Sequence, residues 1–338
     1  MSNRRDYTDA NRAFLQALMA RSTITFEEAR PILAAILSVH GNESVSEEDI
    51  TEPDLSNFIN AANASISPFD LEIRSTLPQH ELHDHSNESY TPERVYALVN
   101  TTSDGLTQLA TTYTPDEISF VKRVLDKMFE VNNTRICEAL VVSSIEALQQ
   151  SKVSGVDRRE SGMTQATPTQ GQSTQGGGAA QSLTMTQAEG VLKQLVEEGW
   201  FEKSRKEFYS LSPRGLLELR GWLVATYNDE DGGRNQKIKF CAACRDIITV
   251  GQRCGNRDCP GRLHDHCMRN IFRVQKAEQC PVCRSPWPGD KFVGERAVAA
   301  QNRRASNARQ SLANGTATQS SQLSQVTDEE VDAASESD

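Results

Sequence analysis

The sequence has no run approaching the ~20 consecutive apolar residues a membrane-spanning helix needs, so no span is expected. Its first residues, MSNRRDYTDANRAFLQALMAR, lack an apolar stretch followed by a small-residue cleavage site, so no secretory signal is expected either. Hydrophobic residues are scarce, at 37%, against ~45–50% in compact domains. Part of the 338-residue chain is therefore expected not to pack. At about 100–200 residues per domain, the length predicts two or three domains. A general basic surface is also missing. The 46 acidic and 36 basic residues leave a net charge of −10, which argues against a uniform nucleic-acid coat but permits a local basic patch. Finally, cysteine is nearly absent outside one window: seven of the eight lie between Cys241 and Cys283. Without a signal peptide, such dense, paired cysteines read as metal ligands in a reducing compartment.

The charge is unevenly placed. Residues 1–151 carry −12, residues 238–289 carry +5, and residues 290–338 carry −3. Seven thiolates and two zinc ions would bring the cysteine-rich segment to +2. Two stretches have the composition of disorder. SGMTQATPTQGQSTQGGGAAQS at 161–182 has almost no large apolar residue, and the tail ends in TDEEVDAASESD.

Between 10 and 110, helical and strand periodicities follow one another. Phe14, Leu15, Leu18 and Met19 share a helical face. Thr25 and Glu28 make a capping-box spacing before an apolar run to Val39, in which Pro31 should kink or restart the helix. Leu55, Phe58, Ile59, Ala62 and Ile66 keep helical spacing, and then Phe69, Leu71, Ile73 and Val95, Ala97, Val99 alternate as strands. Three helices and a hairpin is the order of a winged helix. The pattern recurs. Thr114-Pro115-Asp116-Glu117 opens one helix, a second is predicted over about 134–149, and Thr186/Glu189 cap a third that ends at Gly199. A short hairpin follows around KSRK, and Ser212-Pro213 opens a last helix to Tyr227. The expected domains are thus 8–113 and 114–227, the second with a disordered insert at 152–182, then a zinc module at 238–289 and a disordered acidic tail at 294–338.

Winged helices either bind DNA through the third helix and wing or dock proteins. The first copy's third helix, EPDLSNFINAANASI, has no basic residue, and the second exposes Glu189, Glu197 and Glu198 against Lys193. Helices that grip phosphate carry cations, so docking is favoured. The turn Lys203–Lys206 is the one stretch where a wing could touch phosphate, though an ordinary solvated tip is the simpler reading. His80, His83 and His85 in an acidic loop read as polar surface, and Cys137, among apolar residues, as an inert core thiol.

The text from Cys241 to Cys283 has the pattern C-x2-C-x9-C-x4-C-x4-H-x2-C-x12-C-x2-C. Its ligands are Cys241, Cys244, Cys254, Cys259, His264, Cys267, Cys280 and Cys283, enough for two closed tetrahedral structural Zn²⁺ sites. A disulfide reading would leave an odd cysteine and no role for His264. His264 is preferred to His266, whose position next to Cys267 hinders joint ligation. This order resembles the cross-brace RING and PHD fingers. The resemblance implies that Cys241, Cys244, His264 and Cys267 hold one ion and that Cys254, Cys259, Cys280 and Cys283 hold the other. A PHD histone reader carries Trp two residues before its seventh ligand, where this chain has Glu278; the CPVCR ending looks like a RING. By that resemblance Ala242, Pro281 and Arg284 would contact a ubiquitin-conjugating enzyme and its ubiquitin. Ala242 departs from the larger aliphatic residue common there, and the following helix lacks the frequent Trp.

Two winged helices followed by such a module resemble the non-structural maintenance of chromosomes element 1 family, a subunit of the five–six SMC complex. The resemblance is carried by NRAFLQALMAR, LEIRSTL, YALVNTTSD, QAEGVLKQLVEEGWF, FYSLSPRGLLEL and the zinc module with Trp287. It implies a mainly α fold with small β, in which tandem winged helices precede a cross-brace, two-zinc RING-like domain. It implies a nuclear, chromatin-associated protein of DNA repair and recombination, docked on a MAGE-type subunit and a kleisin subunit, and the acidic third helices are expected to leave DNA contact indirect or weak. The implied activity is that of a RING-type ubiquitin ligase. The alternatives are a non-catalytic assembly module of the same complex or a PHD-like histone reader.

Overall fold

In the first unit, three apolar helical stripes close over a three-stranded sheet. The computed structural model describes residues 7–79, 92–102, 109, 112–153, 181–229, 236–303 and 306. Helix α1 (Asp9–Arg21) starts where the Thr8 amide donates to Asn11 Oδ1 at 3.0 Å, and it buries Phe14 and Leu18 while Met19 stays exposed. Strand β1 (Thr23–Ile24) follows. Helix α2 (Phe26–Gly41) has the expected capping box: the Glu28 amide donates to Thr25 Oγ1, and the Thr25 amide donates to Glu28 Oε2. Pro31 neither breaks nor restarts it. The ring removes one backbone donor early in the helix, while Ala29, Leu33 and Ala34 hold the same face in the core. Helix α3 (Glu52–Ile66) buries Leu55, Ile59, Ala62 and Ile66. Its Asn63 side chain exchanges two hydrogen bonds with the Ile73 backbone, which seats β2 (Leu71–Thr76) against the helix. Strand β3 (Val95–Asn100) pairs antiparallel with both β1 and β2, so the sheet order is β1-β3-β2. Phe69, expected at the strand's start, lies exposed in the preceding turn.

The second unit repeats this topology. Helix α4 (Pro115–Asp126) is capped by Thr114 and Glu117 as expected and runs into a π-helical turn over Lys127–Val131. Strand β4 (Val142–Ser143), α5 (Ser144–Gln149), α6 (Met185–Glu197), β5 (Phe201–Lys203) and β6 (Phe208–Leu211) follow, with sheet order β4-β6-β5. The helix expected over 134–149 is therefore confined to its C-terminal third. Upstream, the Thr134 amide bonds the Cys137 carbonyl, Leu140 takes a left-handed φ of 52°, and Val142 pairs in the sheet. Met185 opens α6 one residue after Thr184, which caps it with Gln187 in place of the expected Thr186/Glu189 box. Gly199 ends this stretch at φ 75°, a left-handed turn that suits glycine. The last helix divides into α7 (Pro213–Glu218) and α8 (Arg220–Tyr227). Gly215 lies so close to the Trp200 carbonyl that a Cβ there would sit 2.5 Å from its oxygen.

The insert falls mostly outside the described residues, as do His80, His83 and His85. Its flanks meet: the Leu183 amide donates to the Ser151 carbonyl and the Val153 amide to Ser182 Oγ, each at 3.0 Å. The chain thus leaves and rejoins the domain at one place.

The third unit is a small sheet, β7 (Gly251–Arg253), β8 (Arg262–Leu263) and β9 (Phe292–Val293) in the order β8-β7-β9, with helix α9 (Asp265–Gln275). Because β9 belongs to this sheet, the module extends past the expected boundary at 289. The tail expected to be disordered from 294 begins instead with helical residues 295–303. Ala297 packs there against Cys137, Ala139 and Val141, and Arg296 pairs with Asp265. Apolar burial holds this stretch, and the rest of the expected tail lies outside the described residues apart from 306. The units share cores: Ile238, Ile247 and Val293 join the second winged helix's apolar cluster, and α7 packs on β2 and β3.

Candidate metal centres

Each Cys-x2-Cys pair is built the same way. In CAAC the Arg245 amide donates to the Cys241 carbonyl and the Cys241 amide to the Asp246 carbonyl. In CPVC the Arg284 amide donates to the Cys280 carbonyl and the Cys280 amide to the Ser285 carbonyl. The residue after each pair, Arg245 or Arg284, takes a left-handed φ, 66° and 60°. The two turns are thereby closed so that both sulfurs of a pair face one point.

The eight expected ligands gather into two interleaved groups. Cys241, Cys244, His264 and Cys267 form one, and Cys254, Cys259, Cys280 and Cys283 form the other, with all ligand atoms of a group within 4.8 Å of each other. In the second group Cys254 Sγ lies 3.5 Å from Cys283 Sγ, and Cys259 Sγ lies 3.7 Å from Cys280 Sγ. These are far beyond a ~2.05 Å disulfide bond. They match the ~3.8 Å edge of a tetrahedron whose centre is ~2.3 Å from each sulfur. In the first group His264 Nδ1 is 3.3 Å from Cys244 Sγ and 3.9 Å from Cys267 Sγ. His266 stays out of the group, its ring stacked on that of His264 at 5.2 Å. Cys137 is remote and buried, and burial pushes its thiol up, as expected of an inert core residue.

The electrostatics of both groups call for a cation. The Cys244 and Cys267 contacts hold Cys241 far below the ordinary thiol range, while the Cys241 and Cys244 contacts push Cys267 far above it. Burial opposes charge on His264, yet the neighbouring sulfurs of Cys241 and Cys244 raise it to about 9. In the second group burial, with the adjacent thiols, pushes Cys259 up to about 12. Thiols this close cannot all ionise without a cation among them, and sulfur-rich four-ligand sets suit a structural metal such as zinc.

Several supporting residues are not singled out by the ligand motif. Gly261 is one: a Cβ there would sit 2.5 Å from Cys280 Sγ and 3.2 Å from Cys259 Sγ, so only glycine lets the second group close. Its place two residues after a ligand is the available sequence signal. Arg262, 1% exposed, forms a two-point ion pair with Glu138, Nη2–Oε1 2.6 Å and Nε–Oε2 2.7 Å, and donates to the Cys259 and Gly261 carbonyls. Lys239 and Arg253 face the same carboxylate. Burial alone would raise Glu138, but the Arg262 and Lys239 contacts overcome it and hold the carboxyl at about 2. Trp287 is buried against Phe272 and donates to Gln252 Oε1 at 3.0 Å.

Helix α9 and the first knuckle border an apolar groove of about 390 Å³, lined by Ala243, Ile271 and Val274 together with Cys244 and Cys267. Val274 and Val282 are exposed. Of the three expected contact residues, Ala242 is half-buried and packs on the module's core, with its amide on the Arg262 carbonyl. Pro281 is half-buried, and the Arg284 side chain stands exposed at the tip of the second knuckle.

Comparison with known proteins gives consistent matches. The family described as Nse1 non-SMC component of SMC5-6 complex matches residues 11–219, and the RING-like domain family matches residues 241–283. The non-structural maintenance of chromosomes element 1 homolog of Rattus norvegicus is 24% identical over 283 residues, 84% of this chain and 85% of that protein. The Homo sapiens homolog is 23% identical over 281 residues, 83% and 85% of the two chains. Non-structural maintenance of chromosomes element 1 of Saccharomyces cerevisiae is 25% identical over 170 residues, 49% and 47%. A chain of a solved Nse1-Nse3-Nse4 complex shares the fold, with a TM-score of 0.57 and 21% identity over 85% of this chain and 99% of that one.

Proposed function

The chain belongs to the Nse1 family of non-SMC components of the SMC5-6 complex, and on that premise we propose that it is a RING-type ubiquitin-ligase subunit of such a complex. The observation that carries the reading is the interleaving of two four-ligand groups beside an exposed apolar groove and an exposed arginine. In this reading the ligands hold two Zn²⁺ ions, which supply folding free energy and leave no open position for chemistry. The surface around Ala242, Pro281 and Arg284, continued by Ile271 and Val274, receives a ubiquitin-conjugating enzyme. A substrate lysine amine then attacks the thioester carbonyl on that enzyme, an isopeptide bond forms, and the enzyme's thiol leaves. This chain forms no covalent bond. It contributes positioning, with Arg284 bracing the ubiquitin.

The winged helices dock partners, a MAGE-type and a kleisin subunit, and contact DNA only indirectly. The α3 surface carries Glu52 and Asp54 without a cation, and on α6 Lys193 is paired with Glu197. The basic wing tip is largely neutralised within the chain, since Lys203 pairs with Glu207 and Lys206 with Glu295. The expected setting is nuclear chromatin undergoing repair and recombination.

The test is reconstitution with the MAGE-type partner and measurement of ubiquitin transfer. Arg284→Ala should slow discharge of the charged conjugating enzyme about tenfold, on the scale of one lost charge-assisted contact. Absence of transfer from a folded complex holding two zinc ions per chain would sink the ligase reading. It would leave the second, a non-catalytic assembly module, which the withdrawn, half-buried Ala242 favours.

A further inference from the structure

Where β2 ends, the chain runs over Leu77-Pro78-Gln79 toward the metal-bearing module. Gln79 is half-buried there, and both ends of its side-chain amide are engaged. Nε2 donates to the Ile247 carbonyl at 2.7 Å, and Oε1 accepts from the Thr249 amide at 2.8 Å, the Val250 amide at 3.1 Å and the Thr249 hydroxyl at 3.1 Å. One side chain from the first winged helix thus pins the backbone of a loop 168 residues later.

The Ile247 carbonyl has a second partner. His264 Nε2 lies 3.3 Å from it, and His264 is 2% exposed. A carbonyl can only accept, so Nε2 carries a proton there, and Nδ1, which faces the sulfurs of Cys244 and Cys267, is the nitrogen a metal would meet. A carbonyl has two lone pairs, and here one serves the ligand histidine while the other is held by Gln79.

We propose that Gln79 is a positioning residue for the first metal site. By orienting the Ile247 carbonyl it sets the tautomer and ring direction of His264, and so couples docking of the first winged helix to metal retention. The proposal rests on the reading of the two groups as zinc sites. Groups behind a ligand histidine typically tune metal affinity ~10–100-fold, and a carbonyl aimed from a second domain makes that tuning depend on the domain arrangement. Linkage makes the effect reciprocal, so metal at His264 also favours the docked winged helix.

The test uses the full chain loaded with Zn²⁺. Gln79→Glu keeps the acceptor for the Thr249 and Val250 amides but sets a carboxylate oxygen against the Ile247 carbonyl. Gln79→Ala removes all four bonds. Zinc transfer to the chelator 4-(2-pyridylazo)resorcinol is followed by absorbance, and mass spectrometry of alkylated cysteines assigns each phase. In both variants release from Cys241, Cys244 and Cys267 should be about tenfold faster, release from Cys254, Cys259, Cys280 and Cys283 unchanged, and the His264 Nε2 proton should exchange faster by NMR. Equal release from both sites of a two-zinc wild type and variant overturns the role of Gln79 alone, as does equal acceleration at both sites, which would mark general loosening. A wild-type chain that holds no zinc overturns the proposal together with the metal reading.

Discussion

Glu138 shows how much a single buried charge can decide. It is 2% exposed, lies in the second winged helix, and faces three cations of the cysteine-rich module and its approach. Removing one partner of such a pair leaves an uncompensated charge, at a cost of about 3–5 kcal/mol. Arg262→Ala should therefore lower unfolding stability by roughly that amount in urea titrations, with the double variant Glu138→Gln/Arg262→Met recovering most of it. The pH dependence has a definite sign. The folded carboxyl, at about 2, lies below its ordinary ~4.5, so its contribution is fully present above the ordinary value and fades as the pH falls from there toward about 2. The stability difference between wild type and Glu138→Gln should be flat from pH 6 to 8 and shrink between pH 4.5 and 2. A difference that grows on acidification would contradict the assignment. Nothing in ICEALVV marks this glutamate as an anchor, because its partners are more than a hundred residues away.

Elements were most legible where local chemistry settles them. The capping boxes at Thr25 and Thr114 and the apolar stripe of α3 lie where spacing places them, since a cap and the residue it serves are three positions apart. Two elements ran against spacing. Pro31 sits inside α2 without ending it, because tertiary burial of Leu33 and Ala34 outweighs one missing backbone bond. Restoring that bond with Pro31→Ala should stabilise the first winged helix by about 2 kcal/mol, read as a higher melting temperature; an unchanged or lower one would mean the ring packs better than its backbone defect costs. The stretch before β4 has helical residues but no helix. Its backbone is committed to the Thr134–Cys137 turn and to a bridge from Glu138 to Val293, so docking overrides propensity.

Across the whole molecule, the three units are not beads on a string. Ile247 and Val293 of the RING-like module complete the core of the second winged helix, α7 lies on the first sheet, and Gln79 ties the first unit to the third. Metal removal should therefore be felt beyond the zinc module. Chelation is expected to release two zinc ions per chain and to raise hydrogen exchange in β4 and around Val141 and Leu140, not only between residues 241 and 283. Exchange confined to the module would show that the shared core survives without it.

The sequence alone picked out the eight residues that gather into the two candidate metal groups. Eight residues at short, repeated spacings can reach common points across tight turns, and the same local economy fixes helix caps and apolar stripes. What supports those ligands was decided only by the tertiary structure: Glu138 beneath Arg262, Gly261 against two sulfurs, and Gln79 behind the carbonyl that holds His264. The reason is distance along the chain. A turn or a cap is an interaction among neighbours and leaves its pattern in the text. A buried ion pair or a side-chain clamp joins residues that become neighbours only when the three units have packed together.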